Sequence, residues 1–239
     1  MVVDADRSDE CSATGLGRTT SATKAASMKP IIEMERKRAT CKEPHAIAID
    51  GDTVWVSSRA TKHVDIIDRA QWRKVGELRP PAMPWGMAYG RGDVFMTCGT
   101  HDMEDRQIVT YRDGAIVGEP IPCPDGTGSH LAFDGDRILL GQWYNKKVLA
   151  LSSDGTVMRA YDAPHEICGL AVRGRGVYAL GTDDEDTTEY FISAIDLTTG
   201  AARDVATVPF RARSLAWDGA SFWTNHREAD QTVRFWLPD

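Results

Sequence analysis

Apolar and small residues alternate in short runs along the chain, and one such run returns five times. Each copy has a small residue, an apolar residue, an alanine and another apolar residue, then a Gly or Asp turn and a second alternating run. This alternation predicts short β-strands joined by hairpins. The alanines that mark the copies are Ala48, Ala88, Ala132, Ala171 and Ala216. Their spacing of about 40 residues is the period of a four-stranded propeller blade.

The repeats predict an all-β fold, a five-bladed β-propeller. The fifth copy ends after three strands, because no sequence is left for an outer strand after residues 232–237. An unassigned run, residues 31–41, precedes the first copy. We expect this N-terminal strand to pair with the last blade, which closes the ring and covers an exposed sheet edge. A sixth blade would need about 40 more structured residues.

Residues 1–29 are mostly small and polar. Too few large apolar side chains are present to offset the entropy of ordering such a segment. We therefore expect a disordered tail over residues 1–29 and one propeller domain over residues 30–239. The tail lacks the apolar centre of a secretion signal, and no apolar run approaches the roughly 20 residues that span a bilayer. A cytoplasmic protein is the expectation.

The net charge limits the classes of expected binding partner, and the cysteines limit the kinds of covalent or metal site. A formal charge of −7 disfavours nucleic acid and anionic membranes, which would repel the chain on average. The expected partner is a small-molecule substrate, and the oligomeric state stays open. The five cysteines are an odd number without a close pair, so neither a disulfide framework nor a thiolate zinc site is indicated.

Ligands of propellers bind where the inner strands begin around the central channel. One column of the aligned copies falls at this mouth, and it contains His45, Trp85, Ser129, Cys168 and Arg213. A second column follows the second strands, and it contains Arg59, Gly99, Trp143, Thr182 and His226. These two columns are where a site is expected.

All six histidines lie in or close to loops that reach this face. Imidazole serves both proton transfer near neutral pH and metal binding. We predict His45, His130 and His226 as catalytic acid/base groups. The same three, with His101, could hold a divalent metal ion; a metal-free acid/base pair and plain hydrogen bonds to loop carbonyls are the alternatives.

Aromatic and charged side chains near the mouth complete the predicted site. Trp85, Trp143 and Tyr144 would form the walls of a pocket for a ring-bearing ligand. Arg59 and Glu166 are added as further substrate-binding residues. The acidic loop at residues 183–186 matches no calcium-binding loop, and we interpret it as a solvated lid.

Residues 44–56 read Pro-His-Ala-Ile-Ala-Ile-Asp-Gly-Asp-Thr-Val-Trp-Val. This phrase resembles blades of virginiamycin B lyase-like propellers and of the related YncE and SMP-30-type propellers. The resemblance covers the scaffold from about residue 44 to 238. Lyases of the first family have seven blades and use a metal with a histidine base, and only His45 lies in a similar phrase here. The acidic and Asn metal ligands of SMP-30-type lactonases are not clearly reproduced.

The blade count is similar to that of plant-type glutaminyl cyclases, which have five blades. Their early Thr-Gln-Gly-Leu phrase is replaced here by Pro-His-Ala-Ile at residues 44–47. The resemblances imply an architecture more than an activity. From the residues we predict a small-molecule enzyme, a lyase, cyclase or hydrolase that uses histidine acid/base chemistry with or without a metal. The alternative is a non-catalytic propeller that binds a peptide or protein on the same face.

Overall fold

Five four-stranded antiparallel sheets form the molecule, and each is one blade of a β-propeller. A computed structural model describes residues 28–100 and 105–239. The predicted all-β, five-bladed fold is confirmed. The expected tail falls on residues 1–29, of which 1–27 lie outside the described part of the chain. Lys29 accepts a backbone hydrogen bond from Thr207.

The first four blades each follow chain order from the channel outward. Blade 1 consists of β2 (Pro44–Asp50), β3 (Thr53–Ser58), β4 (Val64–Asp68) and β5 (Arg73–Leu78), and blade 2 of β6 (Met83–Gly90), β7 (Asp93–Gly99), β8 (Gln107–Arg112) and β9 (Ala115–Pro122). Blade 3 consists of β10 (His130–Phe133), β11 (Ile138–Gln142), β12 (Lys147–Leu151) and β13 (Val157–Asp162). Blade 4 consists of β14 (Glu166–Arg173), β15 (Gly176–Thr182), β16 (Tyr190–Asp196) and β17 (Ala202–Val208).

The fifth blade combines both ends of the described chain. Its strands are β18 (Ala212–Trp217), β19 (Phe222–His226), β20 (Gln231–Trp236) and, outermost, β1 (Ile32–Arg38). β1 runs antiparallel to β20, with Ile32 opposite Trp236 and Arg38 opposite Gln231. The predicted closure of the last blade by an N-terminal strand is therefore confirmed.

Small residues in the repeated phrase let neighbouring inner strands approach each other. A Cβ atom on Gly86 would lie 2.2 Å from the Ser129 carbonyl oxygen, and one on Gly169 would lie 2.4 Å from the Ser214 carbonyl carbon. No side chain fits at such distances, so glycine is required there. Four inner strands also carry a register shift beside this position, whereas β10 pairs regularly. β10 has His130 where the other inner strands have Ala, Gly or Ser.

The apolar residues that follow these small positions surround the channel. Ile47, Met87, Leu131, Leu170 and Leu215 are each at most 2 % exposed. Together with the residues after them they line a narrow cavity of about 80 Å³. This part of the channel is lined by apolar side chains, whereas the charged side chains described below lie where the inner strands begin. No helix in the described residues is long and apolar enough to cross a bilayer.

Candidate functional site

A cavity of about 390 Å³ opens where the inner strands begin. Four described residues of its lining are arginines, two are histidines and one carries a carboxylate. The described lining residues are His45, Arg59, Trp85, Arg106, Thr127, Ser129, His130, Trp143, Tyr144, Glu185, Arg213 and Arg227. The volume suits a small molecule, since ligand pockets commonly measure about 300 to 1,000 Å³.

Every blade contributes to this mouth through strand ends and the loops beside them. β2, β6, β10 and β18 supply His45, Trp85, His130 and Arg213, because all inner strands begin at the same face. Of the channel-mouth column, Cys168 is fully buried and lies behind the lining, with its Sγ 3.7 Å from an Arg213 nitrogen.

His45 and His130 form a stacked pair at the centre of the lining. Their ring centroids are 5.8 Å apart with an interplanar angle of 28°, and the edge of Trp85 meets His45 at 5.5 Å. The rings are buried, with 4 % and 1 % exposure. The Nδ1 atom of His130 has no hydrogen-bond partner among the described residues. A buried polar atom in this state costs free energy unless something outside the protein pairs with it.

Both imidazoles are held in the neutral form. Burial lowers the pKa of His45 well below its usual range, and the neighbouring His130, Arg227, Arg213 and Arg59 lower it further. Burial, followed by the charge of Arg213, lowers the pKa of His130 to about 3. Neutral imidazole can accept a proton at one nitrogen and donate from the other. Nη1 of Arg227 lies 3.5 Å from Nδ1 of His45, so this nitrogen faces a cationic donor.

Arg213 is anchored most firmly among the four arginines. It is 3 % exposed, and its Nη1 donates to the Tyr190 hydroxyl at 2.8 Å and to the Ala212 carbonyl at 3.0 Å. Its Nη2 donates to Glu185 at 2.7 Å. Glu185 belongs to the predicted acidic lid, and its carboxylate is the single negative charge among the described lining residues. The excess charge of the cavity is therefore positive.

The aromatic walls lie where the sequence predicts them. Trp85 donates through Nε1 to the Gly99 carbonyl at 3.1 Å, and Trp143 donates through Nε1 to Glu166 at 2.7 Å. Tyr144 packs edge-on against Trp143 at 6.3 Å and stands at the rim with 81 % exposure. Glu166 does not line the cavity. It positions Trp143 from behind, which differs from the predicted contact with substrate.

The structure does not bring His226 to the mouth. Its ring stacks on Phe210 at 4.9 Å, and its Nδ1 lies 3.1 Å from Nη1 of Arg36 on the outer strand β1. Neighbouring strand residues point to opposite sides, and a 3₁₀ turn begins at Arg227 immediately after β19. Arg227 therefore enters the cavity in place of His226. His101 lies outside the described residues. Of the described members of the predicted histidine centre, His45 and His130 line the cavity.

A divalent cation does not fit this donor set. Within residues 28–100 and 105–239, no three His, Cys, Asp or Glu side chains are grouped so that they could hold a metal ion. The two imidazoles also share the cavity with four arginines, whose charge repels a cation across a few ångströms of poorly solvated space. The same charge favours an anion.

Three charged residues of the cavity escape the repeat alignment. Arg106 ends the loop between β7 and β8, which is as long as the loop between β15 and β16 and longer than its counterparts in the other blades. Arg227 is one residue beyond the aligned column, and Glu185 sits in a loop interpreted as solvated. Arg213 lies in the mouth column, but its buried guanidinium is not foreseen as a site residue. The usable signal in the sequence is the frequency of arginine at strand ends on one face.

No protein-family model and no curated protein sequence matches this chain. Solved structures do resemble it. Glutaminyl cyclase of Myxococcus xanthus superposes with a TM-score of 0.68 at 11% identity, covering 88% of this chain and 100% of the other. The PQQ-bound aldose sugar dehydrogenase of Streptomyces coelicolor gives 0.55 at 17%, covering 87% and 81%.

Virginiamycin B lyase of Staphylococcus aureus gives a TM-score of 0.51 at 13% identity, covering 82% of this chain and 66% of the other. The resemblance to lyase-like and cyclase propellers noted from the sequence is thus confirmed for the scaffold. At identities this low the likeness establishes the propeller fold, on which several unrelated enzymes are built.

Proposed function

We propose that the channel mouth binds a small anionic molecule and that His130, assisted by His45, exchanges a proton with it, as in a lyase, cyclase or hydrolase reaction. The observation that carries the proposal is the pairing of four arginines with two buried neutral imidazoles in one cavity. Among the described lining residues, four cations against one carboxylate in a partly desolvated cavity leave an excess of positive charge, which an anion stabilises. A carboxylate or phosphate would supply this negative charge, and guanidinium groups bind both well.

The proton-transfer role follows from the electrostatics of the free cavity. Burial above all, and then the charge of nearby arginines, lowers the pKa of both histidines, so both rings are poor bases before a ligand binds. An anion beside them offsets the field of the arginines and raises the pKa values towards the range in which imidazole works as a general acid or base. The unpartnered Nδ1 of His130 would take a proton from the substrate, and the imidazolium so formed would return it at another atom. The neutral ring of His45 would donate a hydrogen bond to the ligand.

The reaction classes come from the predicted chemistry, and enzymes on similar scaffolds support them. The glutaminyl cyclase and virginiamycin B lyase structures resemble this chain in fold. A proton taken from one atom of a substrate and returned at another is common to cyclisation, elimination and hydrolysis. No metal-assisted step is included, because the donor set does not fit a cation.

The binding part is tested by thermal unfolding in the presence of carboxylates, phosphates and neutral amides of matched size. We expect anions alone to raise the melting temperature, because a ligand at 100 times its Kd stabilises by about 2.7 kcal/mol. Equal shifts with the neutral amides, or no shift with any anion at 10 mM-scale concentration, would disprove anion binding.

The catalytic part is tested on the anions that bind, by following each one by NMR with wild-type protein and single variants. We expect His45→Gln and His130→Asn to lower turnover by about 100-fold or more, with ligand affinity changed only a few-fold. His63→Gln is the matched control, since His63 pairs with Glu77 outside the cavity. Equal turnover in all three variants would refute the acid/base role.

The second candidate function is binding of an acidic peptide on the same face without catalysis. Tyr144 favours it, because a tyrosine with 81 % exposure at the rim of a cavity is typical of protein-binding surfaces. In that case anions bind without being consumed, and Tyr144→Ala weakens a peptide more than a small anion.

A further inference from the structure

Three of the four cavity arginines stand on two sides of the mouth. Arg106 stands on the side of blades 2 and 3, where its backbone N–H donates to the Gly126 carbonyl. Arg213 and Arg227 stand on the side of blade 5. Trp85 and His45 connect the two sides: Arg106 stacks on Trp85, Trp85 meets His45 in edge-to-face contact at 5.5 Å, and Arg227 approaches His45 at 3.5 Å. An aromatic ring and an imidazole thus stand between the two sides, which favours a ligand with one anionic group on each side.

Arg106 is held in place by an aromatic ring, and the nearby carboxylate of Asp105 is the main charge that opposes the effect of burial on its pKa. Its guanidinium carbon lies 4.0 Å from the centroid of the Trp85 ring, which fixes its plane. Its Nη1 is buried and has no hydrogen-bond partner within the described residues. Burial lowers the pKa of Arg106 more than any neighbouring charge raises it. A stacked guanidinium with an unpaired donor is suited to receive a carboxylate or phosphate oxygen.

Arg227 is in a similar state on the other side. The described hydrogen-bond partner of its guanidinium is the neutral ring of His45, at the long distance of 3.5 Å. Burial and the charges of Arg213 and Arg59 lower its pKa, and Glu185 offsets this only in part. Glu185 pairs directly with Arg213, so Arg227 keeps a donor group for an incoming anion.

We propose that the natural ligand carries two anionic groups, one bound by Arg106 and the other by Arg227 beside Arg213, with its uncharged body against Trp85 and His45. This inference rests on the proposed function and narrows its substrate class to dicarboxylates or phosphorylated carboxylic acids. The body of such a ligand lies against the imidazole pair, so the atoms between the two anionic groups are those exposed to proton transfer.

The test is isothermal titration with probes that differ in charge number and in charge spacing. Fumarate and maleate have the same charge and composition but hold their carboxylates far apart and close together, respectively. Succinate, glutarate and adipate extend the spacing, and butyrate and valerate supply one charge. We expect an extended dicarboxylate to bind about tenfold tighter than a monocarboxylate of equal length, the scale of one further charge-assisted hydrogen bond. Fumarate should bind tighter than maleate.

Variants of Arg106 and Arg227 test whether each arginine binds one of the two anionic groups of the ligand. Arg106→Gln and Arg227→Gln should each reduce the affinity for the best dicarboxylate to that of the monocarboxylate, and Arg106→Lys should restore part of it. Arg91→Gln is the control for net charge, because Arg91 pairs with Asp136 beside the turn between β6 and β7, away from the mouth. Thermal unfolding of each variant verifies that it folds.

Three results would overturn the inference, and the first two differ in whether anion binding at the mouth survives. If monocarboxylates and all dicarboxylates bind equally well, the two-group ligand is wrong and anion binding at the mouth remains. If no carboxylate or phosphorylated acid binds to the wild type, the proposed function fails along with it. Preference for maleate over fumarate would also contradict the two separated groups.

Discussion

Two histidine environments in this propeller differ in almost every respect. At the mouth, His45 and His130 are surrounded by arginines, and one ring nitrogen has no described partner. In blade 4, His165 lies 2.8 Å from a carboxylate oxygen of Asp183 and 3.2 Å from one of Asp204. The first pair is held neutral at an energetic cost, whereas His165 is fully paired. The contrast distinguishes the histidines that we propose to contact a ligand from one that stabilises the fold.

The direction of the pKa shifts follows from these partners. Burial opposes the charge of His165, but hydrogen bonds to Asp204 and Asp183 outweigh it and raise its pKa. Its ring also stacks on Phe191 at 4.3 Å. The mouth histidines have arginines where His165 has aspartates, so their pKa values move in the opposite direction.

The largest expected effect is on stability in blade 4. His165→Leu removes the imidazole that pairs with the Asp204 carboxylate, which has no exposed surface and also accepts a hydrogen bond from Ser193. Breaking a buried ion pair from one side costs about 3 kcal/mol or more. Urea unfolding of the variant at pH 6 measures this loss. A loss below about 1 kcal/mol would mean that His165 does not fasten the blade.

A lower pH should affect the two histidine environments differently, and the expected difference in the free energy of unfolding is about 1 kcal/mol. The lowered folded-state pKa of His130 gives stability that is present above the unfolded-state value near 6.5 and is lost as the pH falls from there towards 3. The raised pKa of His165 gives the reverse: its contribution is complete below the unfolded-state value and is lost as the pH rises through the folded-state value.

Urea unfolding between pH 6.5 and 5.5 therefore compares wild type with His130→Asn. The wild type should lose about 1 kcal/mol more than the variant over this interval, because one pH unit corresponds to about 1.4 kcal/mol per proton. Parallel curves would show that His130 titrates normally in the folded protein.

A change of similar or smaller size is expected at His226. Its ring packs on Phe210 and contacts Arg36 of the closing strand, so His226→Ala should lower stability by about 1 kcal/mol. Because His226 lies outside the cavity, anion affinity should stay within about twofold of wild type. A tenfold loss of anion affinity would instead show that His226 contributes to the binding site, as the sequence alone predicts.

The smallest effect on stability is expected at His130 at neutral pH. Replacement by Leu removes a buried nitrogen that lacks a described partner, so the cost of the altered side-chain shape is offset by the relief of an unpaired polar group. We expect less than about 1 kcal/mol by urea unfolding at pH 7.5. A loss as large as that of His165→Leu would remove the distinction between the two environments.

The fold could be derived from the sequence because its information is periodic. Alternating runs at a fixed spacing specify blades, and the missing outer strand of the last copy points to the N-terminal strand. The mouth column also follows from this alignment, which brings His45, Trp85 and Arg213 together. The position of each of these residues within its repeat is enough to predict that it lies at the mouth.

The rest of the site depends on places where the repeat is interrupted. Arg227 enters the cavity because a 3₁₀ turn begins one residue after the aligned position, and the alignment selects His226 instead. Glu185 reaches Arg213 because its loop is fastened: the hydroxyl of Thr182 donates to the Asp184 and Glu189 carbonyls. The positions of charged side chains in such loops depend on local hydrogen bonds, and the repeat along the chain does not encode those bonds.

Closure of the ring by β1 also bears on the order of events during synthesis. β1 is made first, yet its partner β20 lies about two hundred positions later; Arg36 and Gln231, which pair across it, are separated by 195 residues. At roughly 5 to 20 residues per second, the strand waits for some 10 to 40 seconds on the ribosome. Its sequence, Ile-Glu-Met-Glu-Arg-Lys-Arg, is dense in charge, which protects an unpaired strand from association with other chains. The first strand to be translated is thus also adapted to be the last one docked.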